Sequence, residues 1–349
     1  MCIGVWTLDH PDYALILCTN RDEYLDRPTQ DAHFHSFQSD QHPLNASSVS
    51  DDILSGRDVK AGGSWFGLNR AGRVALLTNI TEPPNSFTSS RGYLVSSFLL
   101  SDSSSPLEDE VGKIVLPEAK FAGFNLLLLA PAPPSSSTIP IETGTPEGCG
   151  HELEPRRREV IVSSREQKLS YGAILVTNHG ADGRLEARPL TSAERACGCM
   201  SNGIDGQGGN EWPKVKRASS SFEEVIKSLP ADSSSANEPE LVEKLFGILT
   251  WRSPDPITER AQLRNTVQVT PIPIILKSAQ PPTSSGYEHY YGTRLSTVLL
   301  IRRDGSVLFI ERDIWRLGKD DKPEKLNHRE GRREGEVEQR VFEFKLDWN

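Results

Sequence analysis

The sequence predicts an α+β fold of antiparallel sheets with helices packed on their outer faces, and three observations lead there. Strand-forming runs come in pairs about short turn signals, stretches of helical spacing fall between the pairs, and the chain closes on a segment that alternates apolar with charged residues. Each such element has one face to bury, and strand pairs separated by helices do so by packing sheets with helices outside.

Residues 2–8 and 13–19 flank Asp9-His10-Pro11-Asp12, the first hairpin. Residues 65–69 and 74–79 flank Arg70-Ala71-Gly72-Arg73, and residues 296–302 and 306–311 flank Arg303-Asp304-Gly305, giving two more. Leu241, Leu245, Ile248 and Leu249 share one helix face; 93–100 and 222–229 show the same spacing more weakly. Val341-Phe342-Glu343-Phe344-Lys345-Leu346 reads as a half-buried closing strand. No internal repeat of solenoid or propeller length is present. One domain over 1–349 is expected, with mobile insertions at 30–52, 130–167 and 319–340. Those segments are Ser/Asp/His-rich, Pro/Ser-rich and then charged, and almost wholly charged, with too few apolar residues to offset the entropy of ordering.

A chain of 349 residues buries a sizeable core. Its net charge of −9 and pI near 5.5, with no basic stripe or aromatic-basic interleaving, argue against nucleic acid as a partner. The start of the chain has no positive leader and no segment is apolar enough for a bilayer, so neither a secretory signal nor a transmembrane segment is expected. Five cysteines (Cys2, Cys18, Cys149, Cys197, Cys199) are an odd, sparse set that suits free thiols in a reducing compartment, so a cytoplasmic location is expected. Cys197-Gly198-Cys199 and the pair His33 and His35 lack companions at zinc-site spacing, so no metal is expected. Haem needs only one axial side chain, and spacing names no ligand for it.

If the first hairpin closes symmetrically, residues whose numbers sum to about 21 face each other and Cys2 lies opposite Thr19. Asn20, Arg21 and Asp22 then emerge beside the sulfur. A small second residue allows removal of the initiator Met, leaving a thiol and a free α-amine on Cys2. An amine near ~7.7–8.0 and a thiol near ~8.5 form a self-contained base and nucleophile. Arg21 would favour the thiolate and Asp22 would order the ammonium and Arg21. Acyl transfer also needs oxyanion donors, for which Asn79 and Asn202 are the candidates. Blander alternatives stand beside these: Cys2 as a small buried side chain, Arg21 and Asp22 as a strand-end ion pair, Asn202 as a left-handed turn residue. Asn79-Ile80-Thr81 and Asn45-Ala46-Ser47 are formal glycosylation sequons that, without a signal peptide, are not expected to be used.

Asn20-Arg21-Asp22-Glu23, at this distance from Cys2, resembles the motif that names the NRDE family, the relatives of transport and Golgi organisation protein 2. Gly62-Gly63-Ser64-Trp65-Phe66-Gly67, Leu76-Leu77-Thr78-Asn79, Arg91-Gly92, Gly123-Phe124-Asn125-Leu126, Ser201-Asn202, Trp212-Pro213-Lys214-Val215 and Tyr291-Gly292-Thr293-Arg294 agree with it. The resemblance runs from residue 2 to about residue 312. More distantly the chain is similar to penicillin V acylase and bile-salt hydrolase, N-terminal-nucleophile (Ntn) hydrolases in which two Asn and a late Arg complete the site. That implies a four-layer αββα sandwich, and it carries site roles onto Cys2, Arg21, Asp22, Asn79, Asn202 and Arg294; for Arg294 a surface charge is the plain alternative. Gly206-Gln207-Gly208-Gly209 lengthens the loop after Asn202, and 130–167 has no family counterpart. The resemblance further implies a role in Golgi organisation and protein secretion, with handling of lipid, acyl-CoA or haem in an Ntn-type pocket and association with Golgi or mitochondrion. No cofactor is required by this reading; acyl-CoA or haem would be a ligand. The alternative it implies is a Cys2-dependent amidohydrolase or thioesterase.

Overall fold

Side chains alternate across a strand with a period of two, and that alternation sorts this chain into layers. The structure, a computed structural model, describes residues 2–37, 51–83, 87, 89–102, 105–115, 119–132, 168–181, 183–229, 237–274, 289–326 and 339–347. The chain opens with β1 (Ile3–Thr7), β2 (Tyr13–Tyr24), β3 (Thr29–His35), β4 (Ile53–Asp58), β5 (Phe66–Asn69) and β6 (Val74–Asn79). Helices α1 (Gly92–Leu100) and α2 (Leu107–Ile114) follow, then β7 (Phe124–Pro131), β8 (Tyr171–Thr177), β9 (Glu186–Pro189), α3 (Ser192–Ala196) and β10 (Gly198–Met200). The rest is α4 (Pro213–Lys227), α5 (Glu238–Leu249), β11 (Ile272–Ile274), β12 (His289–Arg302), β13 (Ser306–Asp313), β14 (Trp315–Leu317), β15 (Pro323–Lys325) and β16 (Gln339–Lys345).

Two antiparallel sheets carry the fold. The first runs β10-β1-β2-β12-β13-β16, with β11 on the far end of β12; the second runs β3-β4-β5-β6-β7-β8-β9. In the first sheet Ile3, Val5, Ile16, Val298 and Leu300 share a core with Phe222 of α4 and Leu245 and Leu249 of α5. Their neighbours Trp6, Leu15, Leu17 and Leu299 point the other way and share a core with Leu54, Leu68, Leu76 and Leu127 of the second sheet. Phe309 of β13 stacks on Phe66 of β5 at 5.9 Å and 13° across that interface. On the outer face of the second sheet, Leu126 and Leu128 pack with Leu94, Val95 and Phe98 of α1 and Val111 of α2. The order helix, sheet, sheet, helix is a four-layer αββα sandwich, as expected.

The hairpins at Gly72 and Gly305 form with both glycines at positive φ, and α5 and β16 fall where the patterns place them. Three points differ. β3 lies inside the segment expected as a loop from residue 30, because long-range partners hold it: Ala32 N–H donates to Glu311 Oε1 of β13, and Phe34 meets Phe342 and Phe344 of β16. β15 likewise falls within 319–340; the remaining parts of the expected insertions, 38–50, 133–167 and 327–338, lie outside the described residues. β7 has no visible alternation because Leu126-Leu127-Leu128-Leu129 is buried on both faces, a run that periodicity alone cannot tell from helix.

Phe222 is fully buried where α4 meets the first sheet. Phe222→Ala should lower stability by about 3–5 kcal/mol in urea denaturation, the cost of a large core truncation. His35, buried against Ser55 Oγ at 2.9 Å, has its pKa pushed down to about 4 by burial, with the charges of His33 and Arg57 adding to it. The unfolded chain therefore takes that proton near the ordinary 6.5 and the folded chain only near 4, so stability present above 6.5 is lost as pH falls through that window. His35→Gln should flatten the fall in melting temperature between those two pH values.

Candidate active site

β2 pairs with β1 on one side from Ile16 to Asn20 and with β12 on the other as far as Tyr24, so it is fixed from both edges up to the residue before Arg21. The β1 register sets Ile3 opposite Asn20 and Gly4 opposite Thr19. Continued by one residue it sets Cys2 across from Arg21, not Thr19. The two-residue difference arises because pairing stops at Thr7: Leu8 N–H turns to the Arg195 carbonyl, and the Arg303 guanidinium gathers the carbonyls of Leu8, His10 and Pro11. A shift of two leaves every side chain on its expected face. Gly4 is required where it stands, since a Cβ there would fall 2.2 Å from Leu76 Cδ2 of the opposing sheet.

The four residues of the motif divide by face. Asn20 points to the helical layer, donating to the carbonyls of Leu249 and Val267 and accepting from Ser296 Oγ at 2.6 Å. It anchors the end of α5 and does not line the cavity described below. Arg21 points between the sheets, is 4 % exposed, and lays its guanidinium 3.8 Å from the centre of the Trp65 ring. Its Nη1 is buried without a hydrogen-bond partner among the described residues. Asp22 accepts from Thr293 Oγ1 at 2.6 Å, and its backbone carbonyl accepts from Tyr291 OH at 3.1 Å and from the Cys2 thiol at 3.7 Å. Glu23 accepts from the Tyr24 N–H.

Cys2, Arg21, Asp22, Glu23, Asn79 and Asn202 line one cavity of about 300 Å³. Asn202 is buried; its Nδ2 donates to the Asn79 carbonyl at 2.5 Å, and its Oδ1 accepts from Lys214 Nζ, with Ser201 Oγ 3.2 Å away. The loop carrying it is tied to the second sheet, with Thr78 Oγ1 and Asn125 Nδ2 both donating to the Ser201 carbonyl. The lengthened segment 206–209 folds back on itself, Gly209 so close to Gly203 that no side chain fits, and Asn202 keeps its place. Arg294 is not brought into the cavity wall. It is the extra residue of a bulge between Thr293 and Leu295, and its guanidinium donates to the Arg27 carbonyl.

Burial pushes the Cys2 thiol up from its ordinary value; the Asp22 carboxylate adds to that and Arg21 opposes it. Burial also lowers Arg21, Arg91 and Arg294, the last to about 10, and brings Lys214 down to about 8. Among the described residues no group of three His, Cys, Asp or Glu is placed to hold a metal ion, and no helix is long and apolar enough to cross a membrane.

Residues 1–316 match the family described as Transport and Golgi organisation 2. The chain belongs to that family. The Transport and Golgi organization protein 2 homolog of Bos taurus is 30% identical over 318 residues, 88% of this chain and 88% of the relative. The Mus musculus Transport and Golgi organization 2 homolog is 28% identical over 312 residues, 86% of this chain and 87% of its own. Among solved structures, a mutant conjugated bile acid hydrolase from Clostridium perfringens aligns with a TM-score of 0.42 and 8% identity, covering 100% of this chain and 98% of that one.

Two further residues touch Cys2 that the motifs in the sequence do not mark for a role. Ser201 Oγ donates to the Cys2 carbonyl at 2.7 Å, and Lys214 Nζ lies 3.3 Å from it. For Lys214 a signal is present: with Val215, Ala218 and Phe222 it falls on the one buried face of α4, a cation in an apolar stripe. Arg21 and Asp22 act on the thiol with opposite sign. Arg21→Gln should slow iodoacetamide alkylation of Cys2 at pH 8, and Asp22→Asn should speed it, each by roughly 3- to 10-fold, because the first removes a charge that favours the thiolate and the second one that opposes it. Peptide mapping separates Cys2 from Cys18, Cys197 and Cys199, whose thiols burial also raises.

Proposed function

We propose that this protein is a Cys2-dependent hydrolase that cleaves an amide or thioester bond of a small acylated molecule. The observation that carries the reading is the meeting of a nucleophile, a cation and amide donors, Cys2, Arg21, Asn79 and Asn202, on the wall of one cavity of about 300 Å³. With Met1 removed, the α-amine of Cys2 takes the thiol proton as sulfur attacks the acyl carbon. The oxyanion is held by the Asn79 and Asn202 amides, and the protonated amine returns its proton to the departing amine or thiolate. Water then releases the acyl group from sulfur. Arg21, stacked on Trp65 with Nη1 buried and unpartnered among the described residues, supplies a fixed positive charge beside the sulfur. The role in Golgi organisation and secretion then rests on turnover of an acylated lipid or acyl-CoA.

A second reading is a carrier that holds acyl-CoA, lipid or haem without turnover. Two observations favour it: the Cys2 thiol is raised, so it rests protonated, and the cavity wall carries Arg21, Arg27, Arg91 and Arg260 against Asp22, Glu23 and Asp58, a surplus of positive charge suited to an anionic ligand.

Release of free thiol from a series of acyl thioesters, with intact-mass analysis of the same preparation, separates the two. The hydrolase reading expects Met1 to be absent and Cys2→Ala to lower turnover ~10³-fold or more while ligand binding, followed by calorimetry for acyl-CoA and by absorbance for haem, persists. Turnover that survives Cys2→Ala, or an active preparation that retains Met1, removes it. Tight binding of acyl-CoA or haem with no turnover by the processed protein establishes the carrier.

A further inference from the structure

Lys214 is fully buried in the first turn of α4, a cation against the Cys2 site that the proposed chemistry does not use. An ammonium buried to this extent is costly unless its donors are satisfied. Two acceptors at the site face it: the Cys2 carbonyl at 3.3 Å and Asn202 Oδ1 at 3.4 Å. Ser201 Oγ touches the same two atoms, at 2.7 and 3.2 Å.

The chemistry of these contacts fixes which way the Asn202 amide faces. An ammonium has three donors and no acceptor, so the atom turned to Lys214 is the amide oxygen. Turned over, the amide would set its NH2 group against the ammonium and its oxygen against the Asn79 carbonyl, two repulsive contacts in place of two favourable ones. In the orientation present, one Nδ2 hydrogen goes to Asn79 and the other is left for the cavity that Asn202 lines. The same ammonium holds the backbone carbonyl of the residue that bears the thiol.

We infer that Lys214, with Ser201, is the positioning residue of this site, a clamp from α4 that fixes the backbone of Cys2 and the donor direction of Asn202 together. Sulfur and oxyanion donor then keep one separation, although they belong to the residue before β1 and to the loop after β10. This inference rests on the hydrolase reading proposed above.

The test compares two reactions at the same sulfur of the intact protein. Transfer of acetyl from p-nitrophenyl acetate forms an S–C bond, breaks the ester C–O bond to release p-nitrophenolate, passes the thiol proton to solvent, and goes through a tetrahedral oxyanion. Alkylation by iodoacetamide displaces iodide and forms no oxyanion. The ratio of the two rates, read by mass spectrometry of the Cys2 peptide, isolates the donor from thiol reactivity. Lys214→Met is expected to lower acetylation relative to alkylation by ~10-fold or more, as loss of an oriented oxyanion donor does. Asn202→Ala should do the same, and the double variant should fall no further than either, because both remove one donor. Ser201→Ala should move the ratio in the same direction, and it decides the matter if Lys214→Met gives no cooperative melt. An unchanged ratio in folded Lys214→Met, or a multiplied loss in the double variant, overturns the inference and leaves the hydrolase reading standing. Wild-type Cys2 that is acetylated no faster than a cysteine in an unstructured peptide overturns the hydrolase reading, and the inference falls with it.

Discussion

The pairing of β2 with a strand on each side is the constraint on which the site depends. β1 holds β2 along one flank as far as Asn20, β12 holds it along the other to Tyr24, and the side chains of Asn20 and Asp22 tie the strand down where β1 ends. Alternation along it then sends Asn20 to the helices and Arg21 to the space between the sheets. Asn20 commits both amide hydrogens to α5 and the segment before β11 and accepts from β12, so the strand is anchored where the cavity begins. Rigidity there lets a charged, nearly inaccessible guanidinium lie flat on Trp65 instead of turning to solvent.

The second support comes from across the sandwich. The chain after β10, on the edge of the first sheet, is tied to β6 and β7 of the second through Thr78, Asn125 and the Asn79 carbonyl. The cavity is thus closed by hydrogen bonds between layers whose shared core is otherwise apolar, with Phe66 stacked on Phe309. Buried polar groups that satisfy one another in this way specify a single alignment of the sheets, which apolar packing alone leaves loose.

Much of this was legible in the sequence where local rules govern. Gly72 and Gly305 mark their turns because positive φ is needed there, and the heptad-like leucines of α5 mark its buried face. The Asn20 to Glu23 string drew attention to the correct strand end. What stayed hidden was set by partners far along the chain. The first hairpin's register depends on Arg195 and Arg303, β3 depends on Glu311 and the C-terminal phenylalanines, and Arg294 leaves the cavity because of a bulge that no local pattern announces. Lys214 was visible as a lone charge in a buried stripe, but only coordinates show that it meets the Cys2 carbonyl.

The hold on that carbonyl by Ser201 and Lys214 has a practical side. With Cys2 itself in the cavity wall and β1 beginning at the next residue, there is no slack between the amino end and the cavity. A fusion joined directly to Cys2 would start at the cavity wall, beside the sulfur, and would crowd the space a substrate needs. β16, by contrast, is the edge strand of its sheet, separated from β2 by β12 and β13, and an attachment made after it leaves the sulfur uncovered.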